Sequence, residues 1–557
     1  LLSKVKNSRY YLLLLSVLSG VLLGVAWLFG PLSFTLLFAF VPLLRVESYI
    51  SSKGLTKPGR AFWRYAYITL FVWNLCTTWW TANTTAAGVA TAAGGIFAIF
   101  ANSLLQSIPL ALFGFTKRST TEVIGYLSLP IYWITFEYIH LNWDLSWPWL
   151  TLGNGFLYMP QWVQWYEFTG VLGGTLWVWV ANLLVYVALL KYKGMYTPQG
   201  RVGVDVYVLA VLIVPMLLSY YLYNTYEEKG EPVEIVVVQP NIDPYTEKFV
   251  GTERFIPFDE QVRRFIQLSE SQITPKTKFV VWPETAIDGA YQEDALENEP
   301  LISQIKGFVN QHPQLSLLTG ITSWKRYSNK EAAPAAARYR EDLGYYDVFN
   351  TGMFVATGQH LQFYHKSKLV PGVEILPYPG VLGVLTKLVF DLGGTAGSLG
   401  RQDERTVFKN NEGQGIAPAI CYESIYGEFM GEYVQNGADF ITIITNDGWW
   451  GKTPGHRQHL AYASLRAIES RRSIARSANT GISGFVNQRG DLLYATEYWV
   501  QQAVNGTILA NKELTFYVKY GDYIGRIAQW LALGVLLFSI VKNRMKRTEK
   551  TEVPKAA

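Results

Sequence analysis

Hydrophobic and polar positions divide this chain into two regimes. From residue 10 to residue 223 long apolar runs alternate with short polar breaks, at about 10–29, 31–46, 63–83, 86–114, 122–140, 167–190 and 204–223. An eighth run, at 523–541, follows a long polar stretch. Each approaches the roughly 20 residues that a helix needs to cross a bilayer. Eight spans are therefore expected, seven before the polar stretch and one after it. The first run has no small-residue cleavage site behind it and further spans follow, so it is expected to be a span rather than a signal peptide.

The polar stretch has a different rhythm. Short apolar runs read as strands at Val233–Val238, Lys278–Trp282, Leu315–Thr319, Ile416–Ile420 and Phe440–Ile444. Helical patterns fall at 258–272, at 297–311, just after Cys421 and at 456–475. Phe354–Ala356 and Leu361–Phe363 flank Thr357-Gly358-Gln359-His360, a hairpin signal. The segment 331–337 reads as a surface insertion. Strands alternating with helices predict an α/β layer architecture. The expected organisation is a membrane domain over 1–225, a globular domain over 226–520, and a last span with a basic tail over 521–557.

Charge then orients the spans. Hydrophobic residues make up 50% of the 557 and charged residues 16%, against about 25% charged in a soluble protein. The net charge of +5 is carried by particular loops. Lys4, Lys6 and Arg9 precede the first run; Lys53, Lys57, Arg60 and Arg64 lie between the second and third; Lys117 and Arg118 follow the fourth. Lys191, Lys193 and Arg201 precede the seventh, and Lys542, Arg544, Lys546, Arg547 and Lys550 follow the eighth. The alternate loops are nearly bare, and 141–166 has no Lys or Arg. By the positive-inside rule both termini are cytoplasmic and the polar domain is outside the cytoplasm. The basic residues thus read as topology and not as a nucleic-acid surface. The bare loop carries Trp143, Trp147, Trp149, Trp162 and Trp165. These suit interfacial anchoring first and, as the second reading, a lipid-facing wall of a site.

Two cysteines, Cys76 in an apolar run and Cys421 in the polar domain, predict no disulfide framework. A lone thiol in an exported domain needs a reason, because oxidising compartments favour disulfides. No metal-ligand cluster or glycine-rich phosphate loop stands out, so no metal or cofactor is expected.

Three strand ends carry the candidate chemistry. Val280-Val281-Trp282-Pro283-Glu284 ends on a carboxylate, Phe363-Tyr364-His365-Lys366 on an ammonium, and Pro418-Ala419-Ile420-Cys421 on a thiol. A thiol attacks acyl groups only once deprotonated, and a helix start behind it would favour the thiolate. Glu284 is the candidate base. Lys366 can face a tetrahedral oxyanion together with the backbone N–H of Tyr422. Taken singly, Cys421 also reads as a core thiol, Glu284 as a helix-cap carboxylate, and Lys368 as an equal alternative to Lys366.

With these motifs in place the chain resembles the nitrilase superfamily. The resemblance lies in Trp282-Pro283-Glu284, in Lys366 with Leu369-Val370-Pro371, and in Ile420-Cys421-Tyr422-Glu423. The spans narrow it to the membrane-integral branch, the apolipoprotein N-acyltransferases. Glu137 with Trp147-Pro148-Trp149-Leu150, Gln239-Pro240-Asn241-Ile242, Asn446-Asp447-Gly448-Trp449-Trp450-Gly451, His459 and Arg466 are similar to further family segments. So are Thr515-Phe516-Tyr517-Val518 and Gly521-Asp522.

The resemblance implies a multi-pass helical membrane domain joined to an αββα sandwich. It implies Glu284 as base, Lys366 as oxyanion partner and Cys421 as a nucleophile that becomes a thioester. Glu374 matches a further carboxylate, Tyr422 and Glu423 supporting residues, Trp449 and Trp450 an aromatic arm over the site, and Trp149 the membrane motif. The implied partners are a phospholipid acyl donor, a diacylated apolipoprotein acceptor and the bilayer, with no nucleic acid, in a bacterial inner membrane. Pro371-Gly372-Val373-Glu374, His140, Ser146-Trp147 and Phe249 depart from the family pattern. The rival readings are a membrane-anchored amidohydrolase of small C–N bonds, and a transporter or scaffold that has lost catalysis.

Overall fold

A computed structural model describes residues 9–83, 89–190, 198–334, 337–375, 377–378 and 398–552. Lys4, Lys6, Lys191, Lys193 and residues 335 and 336 of the expected insertion lie outside them. The chain separates into two compact units. The first holds Leu1–Trp79, Ile96–Asn224 and Asp522–Ala557; the second holds Trp80–Gly95 and Thr225–Gly521. The stretch Trp80–Gly95, which the hydrophobic pattern joins to the apolar runs, groups with the second unit.

The first unit is helical. Among the described residues six helical segments are long and apolar enough to cross a membrane: Arg9–Leu28, Gly30–Ser52, Ala93–Ser119, Tyr166–Leu190, Val204–Thr225 and Tyr523–Thr548. The other two expected spans are the helices Pro58–Thr78 and Glu122–Leu141. They have the length but are diluted by Arg60, Arg64 and Asn74 in one, and Glu137 and His140 in the other. Val206, Leu209, Ile213, Val214 and Leu217 are exposed along one helix, and Trp530, Leu533 and Leu537 along another. So much outward apolar surface suits a lipid solvent rather than water.

Close approach and aromatic packing hold this unit. A Cβ on Gly20 would sit 2.5 Å from the Thr69 carbonyl, so only glycine lets Arg9–Leu28 pack so tightly on Pro58–Thr78. Phe40 stacks on Trp179 at 4.2 Å and meets the Trp133 ring edge-on at 5.3 Å. The buried Glu137 carboxylate accepts from Trp133 Nε1, the Leu152 N–H and the Thr175 hydroxyl. A membrane-embedded carboxylate needs such partners.

The second unit is built on two sheets. In the first, the strands run Gln502–Ala510, Glu231–Gln239, Thr277–Val281, Ser316–Arg326, Gly344–Ala356 and Arg338–Arg340 across the sheet. Ile287–Gln292 adds to Ser316–Arg326, and Gln362–His365 to Gly344–Ala356. In the second sheet the order is Leu492–Leu493, Gly484–Val486, Ile474–Ala478, Phe440–Thr445, Gly415–Ile420 and Phe408–Lys409. The central pairings Glu231–Gln239 with Thr277–Val281, and Gly415–Ile420 with Phe440–Thr445, are parallel. Gly415–Ile420 and Phe440–Thr445 are buried throughout, on both faces, which is why they read as unbroken apolar runs.

The sheets face each other. Phe279 meets Phe440 edge-on at 5.1 Å, and the Ser477 hydroxyl donates to the Val238 carbonyl. Helices Phe258–Glu270 and Pro300–Gln311 cover the outer face of the first sheet, sealing Phe265, Ile305 and Phe308 over Val280, Trp282 and Leu317. Gly427–Gln435 and Gly455–Ser470 pack beside the second sheet. The layers are therefore α, β, β, α, as the resemblance implies, and the strand-helix alternation of the pattern is present.

Two local expectations are corrected. The long helix stops at Ser470 and not at 475, because Arg471 takes a left-handed φ of 48° and Ile474–Ala478 leaves to pair parallel with Phe440–Thr445. Sheet pairing outweighs helix propagation there. The helix expected at Cys421 is a five-residue 3₁₀ turn, Cys421–Ile425; the α-helix begins at Gly427. One such turn offers the sulfur little helix dipole.

Candidate active site

The parallel strand Thr277–Val281 ends at Trp282-Pro283, and the chain then turns sharply at Thr285, whose φ is +47°. The turn is pinned by Trp282 N–H donating to Leu318 O and Gly320 N–H donating to Pro283 O. A Cβ on Gly320 would lie 2.3 Å from Thr285 N and 2.7 Å from Glu284 Cα. Gly320 thus admits the Glu284 backbone, a requirement visible only once the strands are paired.

Glu284 is buried and fully engaged. Its Oε1 accepts from Lys366 Nζ at 3.2 Å and from Asn350 Nδ2 at 2.8 Å, and its Oε2 accepts from the Asn446 N–H at 3.1 Å. Lys366, just past Gln362–His365, also donates to Glu374 Oε1 at 2.8 Å. Asn350 reaches the same Glu374 oxygen at 3.3 Å, and Glu374 Oε2 accepts from Val370 N–H. One ammonium and one carboxamide therefore tie the two carboxylates together. Burial works against the Lys366 charge, but Glu374, Glu284 and Cys421 outweigh it and hold its pKa well above the ordinary lysine value. The two carboxylates favour the charged ammonium.

Cys421 follows Gly415–Ile420 in a left-handed conformation, φ +51°. The residue as a whole is half-buried. Burial pushes its thiol up, the Glu284 charge pushes the same way, and Lys366 pulls it down without winning. The resting group is a neutral thiol that needs a base, so the helix-favoured thiolate expected from the sequence is corrected.

Glu423, buried at the 3₁₀ turn, joins the two halves of the site. Its Oε2 accepts from Ile420 N–H at 2.8 Å, just before the thiol. Its Oε1 accepts from Ser367 N–H at 2.6 Å, Lys368 N–H at 3.2 Å and the Tyr364 hydroxyl at 2.7 Å, on either side of Lys366. The Lys368 ammonium lies 4.9 Å over the Tyr426 ring. Lys366, not Lys368, is the cation on Glu284. Tyr422 is buried with its ring against Tyr426 at 5.3 Å.

Trp449 and Trp450 sit in the 3₁₀ turn Asp447–Trp450. Trp449 stacks with Phe249 at 6.1 Å, and Trp450 packs on Trp80 at 4.7 Å. Trp149 lies in the first unit, buried, its carbonyl accepting from Trp27 Nε1 at 3.1 Å.

Several participants escape sequence reasoning. Asn350 is a polar residue inside an apolar strand, the one signal that could have marked it. Lys248 is buried, its ammonium 2.6 Å from Thr285 Oγ1 and 3.3 Å from the Glu284 carbonyl; burial lowers its pKa to about 8 against the pull of Asp288 and Glu284. Among the described residues no group of His, Cys, Asp and Glu is arranged to hold a metal.

Similarity to known proteins runs the length of the chain. Residues 237–514 match the carbon-nitrogen hydrolase family, and residues 19–184 match the apolipoprotein N-acyltransferase N-terminal domain. An apolipoprotein N-acyltransferase of Chlorobaculum tepidum is 30% identical, covering 98% of this chain and 98% of that protein. Proteins of the same name from Thermotoga maritima and Geobacter metallireducens are 27% and 26% identical, covering 96% and 91% of this chain and 95% and 91% of their own lengths. With nearly end-to-end likeness and both family regions in order, the chain belongs to the apolipoprotein N-acyltransferase family.

Proposed function

We propose that this protein transfers an acyl chain from a phospholipid to the α-amino group of a diacylglyceryl-cysteine on a bacterial lipoprotein, by a ping-pong route through a Cys421 thioester. One observation carries the reading: the buried Lys366 ammonium lies 3.2 Å from the Glu284 carboxylate and 2.8 Å from Glu374, and both Lys366 and Glu284 act on the Cys421 thiol.

In the first half, Glu284 takes the thiol proton as Cys421 sulfur attacks the phospholipid ester carbonyl. The oxyanion that forms is met by Lys366 and the Tyr422 N–H. Collapse breaks the ester C–O bond; the leaving glycerol oxygen takes the proton from Glu284, and lysophospholipid departs. In the second half, the neutral acceptor amine attacks the thioester, Glu284 receives the amine proton, and the C–S bond breaks. The new amide leaves and the proton returns to sulfur. Glu374 holds Lys366 charged while Glu284 changes protonation. Trp449 and Trp450 form the aromatic arm that keeps water from the thioester. Trp149 belongs to the lipid-facing wall.

The catalytic domain, residues 226–520, is assigned to the outer face of the bacterial inner membrane, with both termini in the cytoplasm. The spans of residues 1–225 and 521–557 keep the enzyme in the membrane that carries both substrates, so the search for them is planar.

The test is intact-protein and peptide mass spectrometry after incubation with phospholipid in detergent. The expected result is one acyl chain on Cys421 and an equal yield of lysophospholipid. Adding a diacylated lipopeptide with a free α-amine should discharge the thioester into triacylated lipopeptide. Free fatty acid with the lipopeptide left diacylated would replace this reading by the hydrolase one.

A further inference from the structure

Behind the nucleophile lies a buried polar chain that acyl transfer, as written above, leaves unused. Cys421 holds a left-handed backbone, φ +51°, which residues with a Cβ avoid. Something must hold it there. His459, on the helix Gly455–Ser470, places Nε2 3.1 Å from the Cys421 carbonyl oxygen and 3.1 Å from Ser424 Oγ. The Ser424 hydroxyl donates to the same carbonyl at 2.7 Å.

On its other side His459 Nδ1 lies 2.8 Å from Asp447 Oδ1. Arg476, from the strand Ile474–Ala478, donates to Asp447 Oδ2 at 2.6 Å, and the Thr445 hydroxyl donates to Oδ1 at 2.9 Å. His459, Asp447 and Arg476 are each no more than 1% exposed. Trp450 covers the imidazole edge-on at 5.8 Å.

The partners define the ring's protons. A peptide carbonyl and a carboxylate oxygen can only accept, and they face opposite nitrogens of His459. Hydrogen on both nitrogens would satisfy both acceptors, whereas a ring with one would set a lone pair against one of them. Arg476 Nη2 also lies 3.3 Å from Nδ1, a longer contact than the carboxylate makes. Burial would push Asp447 up, but Arg476 and His459 hold it well below the usual carboxylate range. Doubly protonated, the ring would join Arg476 as a second cation on the single anion Asp447.

We propose that His459, as an imidazolium braced by Asp447 and Arg476, is a positioning residue that clamps the strained Cys421 turn and sets a positive charge behind the thiolate formed there. The proposal rests on Cys421 being the nucleophile.

The full-length enzyme in detergent tests it with His459→Gln, which keeps a donor but loses the charge, and His459→Leu, which loses both. Acyl-Cys421 formation should fall about 100-fold in the Leu variant, the scale of a slightly misplaced reacting group. It should stay within about tenfold of wild type in the Gln variant, the cost of a weakened hydrogen bond. The pH midpoint of Cys421 alkylation by iodoacetamide, with Cys76 followed separately, should rise in both variants. A fold-supporting role alone would leave that midpoint unmoved.

Acylation within threefold of wild type in the Leu variant, or Gln behaving as Leu, would overturn the proposal; so would an unchanged midpoint. If neither variant folds, nitrogen NMR of the unmutated enzyme with ¹⁵N-histidine decides. A doubly protonated ring shielded from solvent exchange, as a side chain 1% exposed must be, is expected at neutral pH, and its absence would overturn the proposal. Absence of acyl-Cys421 in wild type would sink the acyl-transfer reading, while the midpoints and the spectrum still judge the clamp.

Discussion

At the scale of residues, a carboxylate and an ammonium act on one thiol in opposite senses, and this makes their roles separable. Glu284 raises the Cys421 thiol while Lys366 lowers it. Glu284→Gln should therefore move the pH midpoint of Cys421 alkylation down while acyl transfer is lost, because the base is gone. Lys366→Met should move the midpoint up and slow acyl-enzyme formation by about 10²–10³-fold, the scale of one lost electrostatic donor. Alkylation profiles and acylation rates of the two variants check both signs; a common direction of shift would refute the assignment. Lys368→Met should cost far less, since that ammonium lies over Tyr426 and not on Glu284. A dead Lys368→Met enzyme beside an active Lys366→Met one would reverse the two lysines.

Elements matter because the site is made where strands end. Gly320 sits on Ser316–Arg326 and admits the Glu284 turn at a distance no Cβ allows. Gly320→Ala should displace that turn, cost about 1–3 kcal/mol as an overpacked core does, and reduce acylation more than stability. Thermal unfolding measured beside acylation tests this; full activity with unchanged melting would refute the packing argument. Glu423 connects the thiol turn to the lysine loop through four hydrogen bonds. Glu423→Ala leaves buried donors unpaired, each worth about 1–3 kcal/mol. The expected outcome is a lower melting temperature together with lost acylation, and Glu423→Gln should recover more of the first than of the second.

For the whole molecule, topology is the testable consequence of the charge pattern. Reporter fusions after residues 60 and 118 should read cytoplasmic, and one near 230 should read extracytoplasmic; a cytoplasmic signal at 230 would invert the assignment. Hydrophobic runs, loop charges and strand periodicity are local properties, so the sequence by itself determined the apolar helices, the α/β alternation and the three strand ends bearing Glu284, Lys366 and Cys421. Even the family resemblance is carried by short contiguous motifs of this kind. Only the tertiary structure decided which lysine meets Glu284, because Lys366 and Lys368, two residues apart past a strand end, fall on the same side of an extended chain and no local pattern separates them. It decided that Asn350 and Gly320 serve the site, since both act across strands distant in sequence. It replaced an activating helix dipole at Cys421 with a 3₁₀ turn and a buried, neutral thiol, and brought His459, Asp447 and Arg476 together behind it. Hydrogen bonds and close approaches between distant segments exist only once the sheets have paired, and no local pattern encodes them.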